Sequence, residues 1–299
     1  MSRITIPRRS FALGGLAAAC MPVTSIARAL AAPDRVSTVV LSRSRLELTY
    51  WGAPSPTVER TLSKLMAGYD VGAIEIGEPE PFRRRTMVLF SDSQDAAVLD
   101  SIASAARMER IRGNVDHVIG IICSGPRPID PESSRRIRGY CDLVVAIPTA
   151  SVSRRTREER MVLAAEAFLD NLFILGMMGW EPDDLLQTAP ECDAFRLGVA
   201  TSRIGQRDPD DKDAAVDAVE RALQQLTAQG CDPRRLRIVH MTTVIGPDVR
   251  SSTAVHAMKW LENRLGDHTN LVFSLPVEAQ RSGSMVVKLL GANDIIPAP

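Results

Sequence analysis

Short apolar runs alternate with helical patterns along this chain, and the alternation restricts the fold more than any other feature of the sequence. Strands that alternate with helices favour a mostly parallel sheet covered by helices on both faces. Predicted strands lie at 46–51, 71–76, 86–90, 117–123 and 142–148, and helices begin at Thr57 and Ala96. We therefore predict an α/β fold in which residues 36–155 form a Rossmann-type domain.

A longer helical pattern follows this first domain. Apolar residues such as Met161, Phe168 and Leu172 recur at three- and four-residue spacing and predict one central helix over residues 156–180. Further predicted strands lie at 195–201, 236–243, 270–276 and 285–290, with helices at 210–229 and 251–265. We predict a smaller C-terminal α/β sandwich over 195–291, followed by a flexible tail at 292–299.

Residues 1–31 have the segment order of a cleavable export signal. The pair Arg8 and Arg9 precedes Phe11, an apolar stretch at 13–26 and small residues that end at Ala31. The apolar stretch is shorter than the roughly 20 residues that a membrane-spanning helix needs. We predict export by the twin-arginine (Tat) route to the periplasm or another site outside the cytoplasm. A wrongly chosen start codon and a lipoprotein attached through Cys20 are the alternatives.

Composition places the chain among ordinary globular proteins. It has 299 residues, of which 45% are hydrophobic and 24% charged, and its formal net charge is +0. A neutral chain has no overall field that would attract nucleic acid or an anionic membrane, so neither is an expected partner. No stretch after the leader reaches the length of a transmembrane helix.

The cysteines and histidines show no metal-ligand spacing, and no metal site is expected. Cys123 ends one predicted strand and Cys141 precedes the next, so on neighbouring parallel strands their sulfurs are too far apart for a disulfide. Cys192 and Cys231 lie in turn-like sequence, and a disulfide between them stays open.

Several motifs resemble segments of the tubulin/FtsZ superfamily. The strand at 142–148 ends in Ile-Pro, as does a strand of FtsZ, and residues 167–179 resemble its central helix. Residues 198–201 and 236–244 resemble two strands of its C-terminal domain. The resemblance covers nearly all of the chain after the leader and implies a nucleotide-type domain, a long central helix and a smaller C-terminal domain.

The family's glycine-rich phosphate loop corresponds here to a segment without glycine. The segment is Ser91, Asp92, Ser93, Gln94, Asp95, Ala96 and Ala97. Side chains at these positions block the close approach of backbone to phosphate. Asp92 and Asp95 would each cost about 1 to 4 kcal/mol by repelling a triphosphate. We therefore expect no nucleotide cofactor, with GTP or GDP as the alternative.

The resemblance also implies residues for the nucleoside and for hydrolysis. Glu132 and Arg136 match a segment near the ribose, and Asp170 falls where the family reads guanine. The alternative is that Asp170 caps or pairs on a helix face. Asp183 and Asp184 are the candidates for hydrolysis, although the usual acidic pattern is missing.

These observations predict an exported FtsZ-like protein that has lost GTP binding and hydrolysis. It would act as a scaffold, a binding module for an unidentified envelope protein or a self-associating element. The alternatives are a cytoplasmic GTP-binding polymer subunit of cell division and an envelope enzyme with an unrelated site.

Overall fold

A computed structural model describes part of the chain. The described residues are 38–43, 46–51, 56–69, 85–92, 95–113, 115–124, 135, 137–148, 154–173, 176–178, 187, 189, 192–204 and 210–294. The predicted leader with Arg8 and Arg9, the strand at 71–76 and most of the predicted tail lie outside these ranges.

The first sheet has five strands in the order β1-β2-β3-β4-β5. The strands are β1 (Thr38–Arg43), β2 (Leu46–Trp51), β3 (Thr86–Ser91), β4 (His117–Ser124) and β5 (Leu143–Pro148). β2 to β5 pair in parallel, as predicted, and β1 joins the edge antiparallel to β2. β1 is absent from the sequence-based prediction.

Both faces of β2 to β5 are buried, and successive residues of a strand point to opposite faces. In β3, Val88 and Phe90 belong to the core that contains α1 (Pro56–Gly68) and α3 (Arg154–Phe173). Met87 and Leu89 face α2 (Ala96–Ile111) on the other side. The predicted two-sided α/β sheet is therefore confirmed.

The central helix α3 ends at Phe173, so the prediction that it continues to residue 180 is wrong at this boundary. Gly176–Met178 instead forms the short strand β6, in which Gly176 pairs with Pro276 and Met178 with Leu275. The apolar spacing continues past Phe173, but the partner strand lies about a hundred residues later in the chain. Local periodicity cannot register such a partner.

The second sheet is mixed, in the order β6-β9-β8-β10-β7. Its other strands are β7 (Arg196–Arg203), β8 (Leu236–Ile245), β9 (Asn270–Pro276) and β10 (Ser284–Asn293), and its helices are α4 (Lys212–Ala228) and α5 (Ser251–Glu262). Leu289 of β10 packs on the side of α4 and α5, whereas Leu290 packs on the side of α3. The sheet is thus enclosed between helices on both faces.

The two sheets join beside β5. The amide of Phe195 donates to the carbonyl of Val144, and the amide of Ala146 donates to the carbonyl of Phe195, both at 2.8 Å. α3 contacts strands of both sheets. The two α/β units are thus connected by backbone hydrogen bonds and by the shared helix α3. Within the described ranges, none of the helices combines the length and the apolar character of a membrane span.

Candidate functional site

The carboxyl ends of the parallel strands lie together at one edge of the first sheet. Trp51 pairs with Ser91, and Ser124 pairs with Pro148, so the strands end almost level. In open parallel sheets, ligands bind outside this edge. The segment predicted as a degenerate phosphate loop begins here, because Ser91 is the last residue of β3.

Asp95 occupies the N-terminus of α2. Its side-chain carboxylate accepts a hydrogen bond from the backbone amide of Ala97 at 2.9 Å and forms the N-cap. Ala96 and Ala97 are the first residues of the helix, and Asp92 is half-buried beside the end of β2. Ser93 and Gln94 lie outside the described residues.

The Asp95 cap occupies the backbone amide of Ala97, a donor that a phosphate at this helix end would need. A helix N-terminus attracts anions because its free amides and the helix dipole present positive partial charge. Here the chain supplies its own carboxylate, which stabilises the helix by about 1 kcal/mol. A phosphate at α2 would have to displace Asp95 or lie beside its negative charge.

Asp170, predicted as a guanine-reading residue, has two internal partners. Its carboxylate accepts a hydrogen bond from the Tyr69 hydroxyl at 2.8 Å and another from the Lys288 ammonium at 2.6 Å. Burial, the largest influence, raises the pKa of Asp170, and the positive charge of Lys288 opposes that shift. The pKa of Tyr69 lies well above its usual value, mainly because the phenol is buried. These contacts match the alternative prediction, in which Asp170 pairs with other side chains from its helix face.

The structure does not bring Asp170 to the phosphate-loop segment. Met161 of α3 contacts Cys123, close to the carboxyl end of β4, with 3.3 Å between the sulfurs. Asp170 lies nine residues further along the helix, which is about 14 Å at 1.5 Å per residue. Its assignment to a purine pocket stays a prediction.

The other predicted site residues are not described. Glu132 and Arg136, expected near a ribose, and Asp183 and Asp184, the candidates for hydrolysis, all lie outside the described ranges. Arg135 is described and exposed. In the part of the chain that is described, no three His, Cys, Asp or Glu side chains are grouped as a metal ion would require.

The structure leaves all four cysteines beyond the leader as buried free thiols. The disulfide between Cys192 and Cys231, left open by the sequence, is therefore not formed. Cys123 and Cys141 belong to cores on opposite faces of the first sheet, which confirms that they do not pair. Burial raises the pKa of Cys231 to about 11 and that of Cys123 to about 12, so both thiols stay protonated at neutral pH.

A cavity of about 290 Å³ lies between α1, α3 and the turn that joins β9 to β10. Asp170 and Tyr69 line it, and Lys288, only 1% exposed, lies behind them on β10. Sequence reasoning missed this site. Its signal was a lysine inside an otherwise apolar strand, Val286-Val287-Lys288-Leu289-Leu290. A buried lysine needs a carboxylate partner.

Several solved structures have a similar fold. An empty FtsZ dimer from M. jannaschii matches with a TM-score of 0.56 and 12% identity, over 79% of this chain and 68% of that chain. A mutant FtsZ from the same organism matches with a TM-score of 0.54 and 12% identity, over 70% of this chain and 65% of that one. The fold is FtsZ-like.

A CetZ2 from Haloferax volcanii, in a GTPγS-bound protofilament, shares this FtsZ-like fold. It has a TM-score of 0.51 and 12% identity, and the match covers 80% of this chain and 72% of that chain. No protein-family model matches the sequence, and no curated protein does. The similarity therefore lies in the three-dimensional structure. The predicted tubulin/FtsZ-type α/β fold is confirmed.

Proposed function

We propose that this protein is an exported FtsZ-like protein that works without GTP, either by self-association or by binding a partner in the cell envelope. The observation that carries the proposal is the Asp95 cap on α2. In this fold that helix follows the carboxyl end of β3, and its N-terminus is the natural place for a phosphate. A carboxylate already occupies it.

Two further features support the loss of nucleotide binding. Glycine is missing throughout the segment between β3 and α2, so the backbone cannot approach a phosphate closely. Asp92 adds a second negative charge near the same edge. The missing glycines thus remove the backbone contacts of a phosphate, and the added negative charge repels it.

The twin-arginine leader supports export. Outside the cytoplasm GTP is not expected, so the leader and the altered loop favour the same interpretation. Self-association is proposed because two FtsZ-like neighbours are a dimer and a protofilament. The second candidate function, a GTP-binding polymer subunit, is favoured by the GTPγS bound in the CetZ2 protofilament.

A nucleotide titration separates the two candidates. We expect calorimetry of the purified protein with GTP and Mg²⁺ to show no saturable binding up to about 1 mM, a binding free energy weaker than about 4 kcal/mol. ATP serves as the control for nonspecific binding, and light scattering monitors assembly. Micromolar GTP affinity, or filaments that appear only with GTP, would contradict the proposal.

Export is tested through the arginine pair. In a host with an active twin-arginine system, we expect the protein outside the cytoplasm, cleaved near Ala31, as N-terminal sequencing would show. The conservative R8K/R9K variant should remain in the cytoplasm with its leader attached, because the receptor reads the guanidinium pair. A wild-type protein that stays uncleaved in the cytoplasm would support the polymer-subunit alternative.

A further inference from the structure

The cavity between α1, α3 and the β9–β10 turn is a second concave site, separate from the carboxyl edge of the first sheet. It measures about 290 Å³, near the lower end of the range for small-molecule sites. Its lining combines apolar side chains, Leu65 and Val162, with charged ones from three different elements. A mixed lining of this kind is typical of pockets that bind and orient a small ligand.

The α3 wall of the cavity carries net negative charge. Lys288 lies 2.6 Å from the carboxylate of Asp170 and 2.8 Å from that of Glu166, so one ammonium is shared by two carboxylates. The C-terminal end of α1 at Gly68 also lines the cavity, and a helix C-terminus carries negative partial charge. A positively charged group is therefore favoured at this wall.

The remaining charges differ in their pairing. On the β9–β10 turn, Glu278 pairs with Arg281, so these two side chains largely cancel. Lys64 lines the cavity from α1 and is exposed. Within the described part of the chain its ammonium has no ion-pair partner. Among the described residues, the cavity thus presents a negative wall on α3 and, on α1, a lysine without an ion-pair partner.

We propose that this cavity binds a small zwitterion with a short apolar body. Its ammonium group lies against Glu166 and Asp170, its anionic group pairs with Lys64, and its hydrocarbon part contacts Leu65 and Val162. The site goes beyond the proposed function and does not depend on the loss of GTP binding. Because it touches α1, α3 and the β9–β10 turn together, its ligand stabilises the joint between the two α/β units.

Three probes of equal chain length test the charge pattern. Calorimetry and thermal unfolding of the purified protein would be measured with ε-aminocaproate, hexylamine and caproate. We expect ε-aminocaproate to bind about tenfold more tightly than either singly charged probe, because each charged contact adds about that factor. Only this probe should raise Tm clearly. Equal binding of hexylamine and ε-aminocaproate, or no binding of any probe at ten-millimolar concentration, would overturn the proposal.

Two variants assign the contacts. K64Q should weaken ε-aminocaproate about tenfold and leave hexylamine unchanged, whereas E166Q should weaken both. K259Q, which removes an exposed lysine of α5, is the matched control and should change neither affinity. K64Q alters an exposed side chain, so its folding is not at risk. Unchanged ε-aminocaproate affinity in K64Q would refute the assigned orientation.

Discussion

Replacing Lys288 with methionine is expected to lower the free energy of unfolding by about 3 to 5 kcal/mol. Methionine has a similar volume, so the packing around β10 is largely kept. The buried carboxylate of Asp170, 6% exposed, loses the ammonium at 2.6 Å and keeps, among its described partners, only the Tyr69 hydroxyl. An uncompensated charge in such a place is strongly destabilising. Urea unfolding at neutral pH measures the change.

The loss of stability in K288M should depend on pH, and its direction follows from the pKa of Asp170. Burial already raises the pKa of Asp170, and removing Lys288 removes the charge that opposes this shift. A carboxyl whose pKa is higher in the folded state than in the unfolded state favours folding at low pH, and this benefit is lost as pH rises through the folded pKa. The destabilisation in K288M should therefore be full at neutral pH and shrink as the pH falls towards the ordinary aspartate value of about 4.

Two controls separate charge from packing at this position. The D170N/K288M double variant removes both charges and should recover much of the lost stability, because replacing a buried ion pair by neutral groups is often close to neutral. K259M removes an exposed lysine and should change stability by less than about 0.5 kcal/mol. A loss in K288M that is small, or that is the same at every pH, would show that the ion pair is not buried as described.

Substituting Gly198 by alanine is expected to destabilise the C-terminal unit by about 1 to 3 kcal/mol. A Cβ at this position of β7 would lie 2.1 Å from the carbonyl oxygen of Ala222 in α4 and 2.9 Å from its carbonyl carbon. Both atoms belong to the backbone, so the clash cannot be relieved by a change of rotamer. Helix and sheet have to move apart. Urea unfolding with a probe in the C-terminal unit measures the loss.

Gly68 provides the matched control for the same chemical change. A Cβ there has no heavy atom within 4 Å, and the residue ends α1. Alanine at an unstrained glycine position stabilises by about 0.4 to 1 kcal/mol, because it restricts the unfolded chain. We therefore expect opposite signs for G68A and G198A. If both were neutral, the close contact between α4 and β7 would be wrong.

Much of the fold could be predicted from local pattern. β2, β3, β4 and β5 lie where apolar runs predicted them, within one or two residues, because strands buried on both faces read as continuous apolar sequence. The prediction missed β1 and β6, which lie at sheet edges. Their identity as strands depends on pairing with β2 and with β9, and single-sequence periodicity does not report pairing.

The candidate sites, too, could be predicted only where they depend on residues close together in the chain. The missing glycines and the acidic residues between β3 and α2 are visible in the sequence, and so is the ability of Asp95 to cap a helix. The resemblance to FtsZ singled out Asp170 as a candidate for reading guanine. It could not supply the partners of that residue, because Tyr69 and Lys288 lie 101 and 118 positions away.

The sequence by itself determined most of the strands and helices and the absence of glycine between β3 and α2, because these depend on residues close together in the chain. The export leader stays a prediction. Only the tertiary structure decided which buried charges compensate each other and where a cavity opens between α1, α3 and the β9–β10 turn. The physical reason is the cost of burying charge. Asp170 and Lys288 are tolerated in the interior only because folding brings them within 2.6 Å of each other.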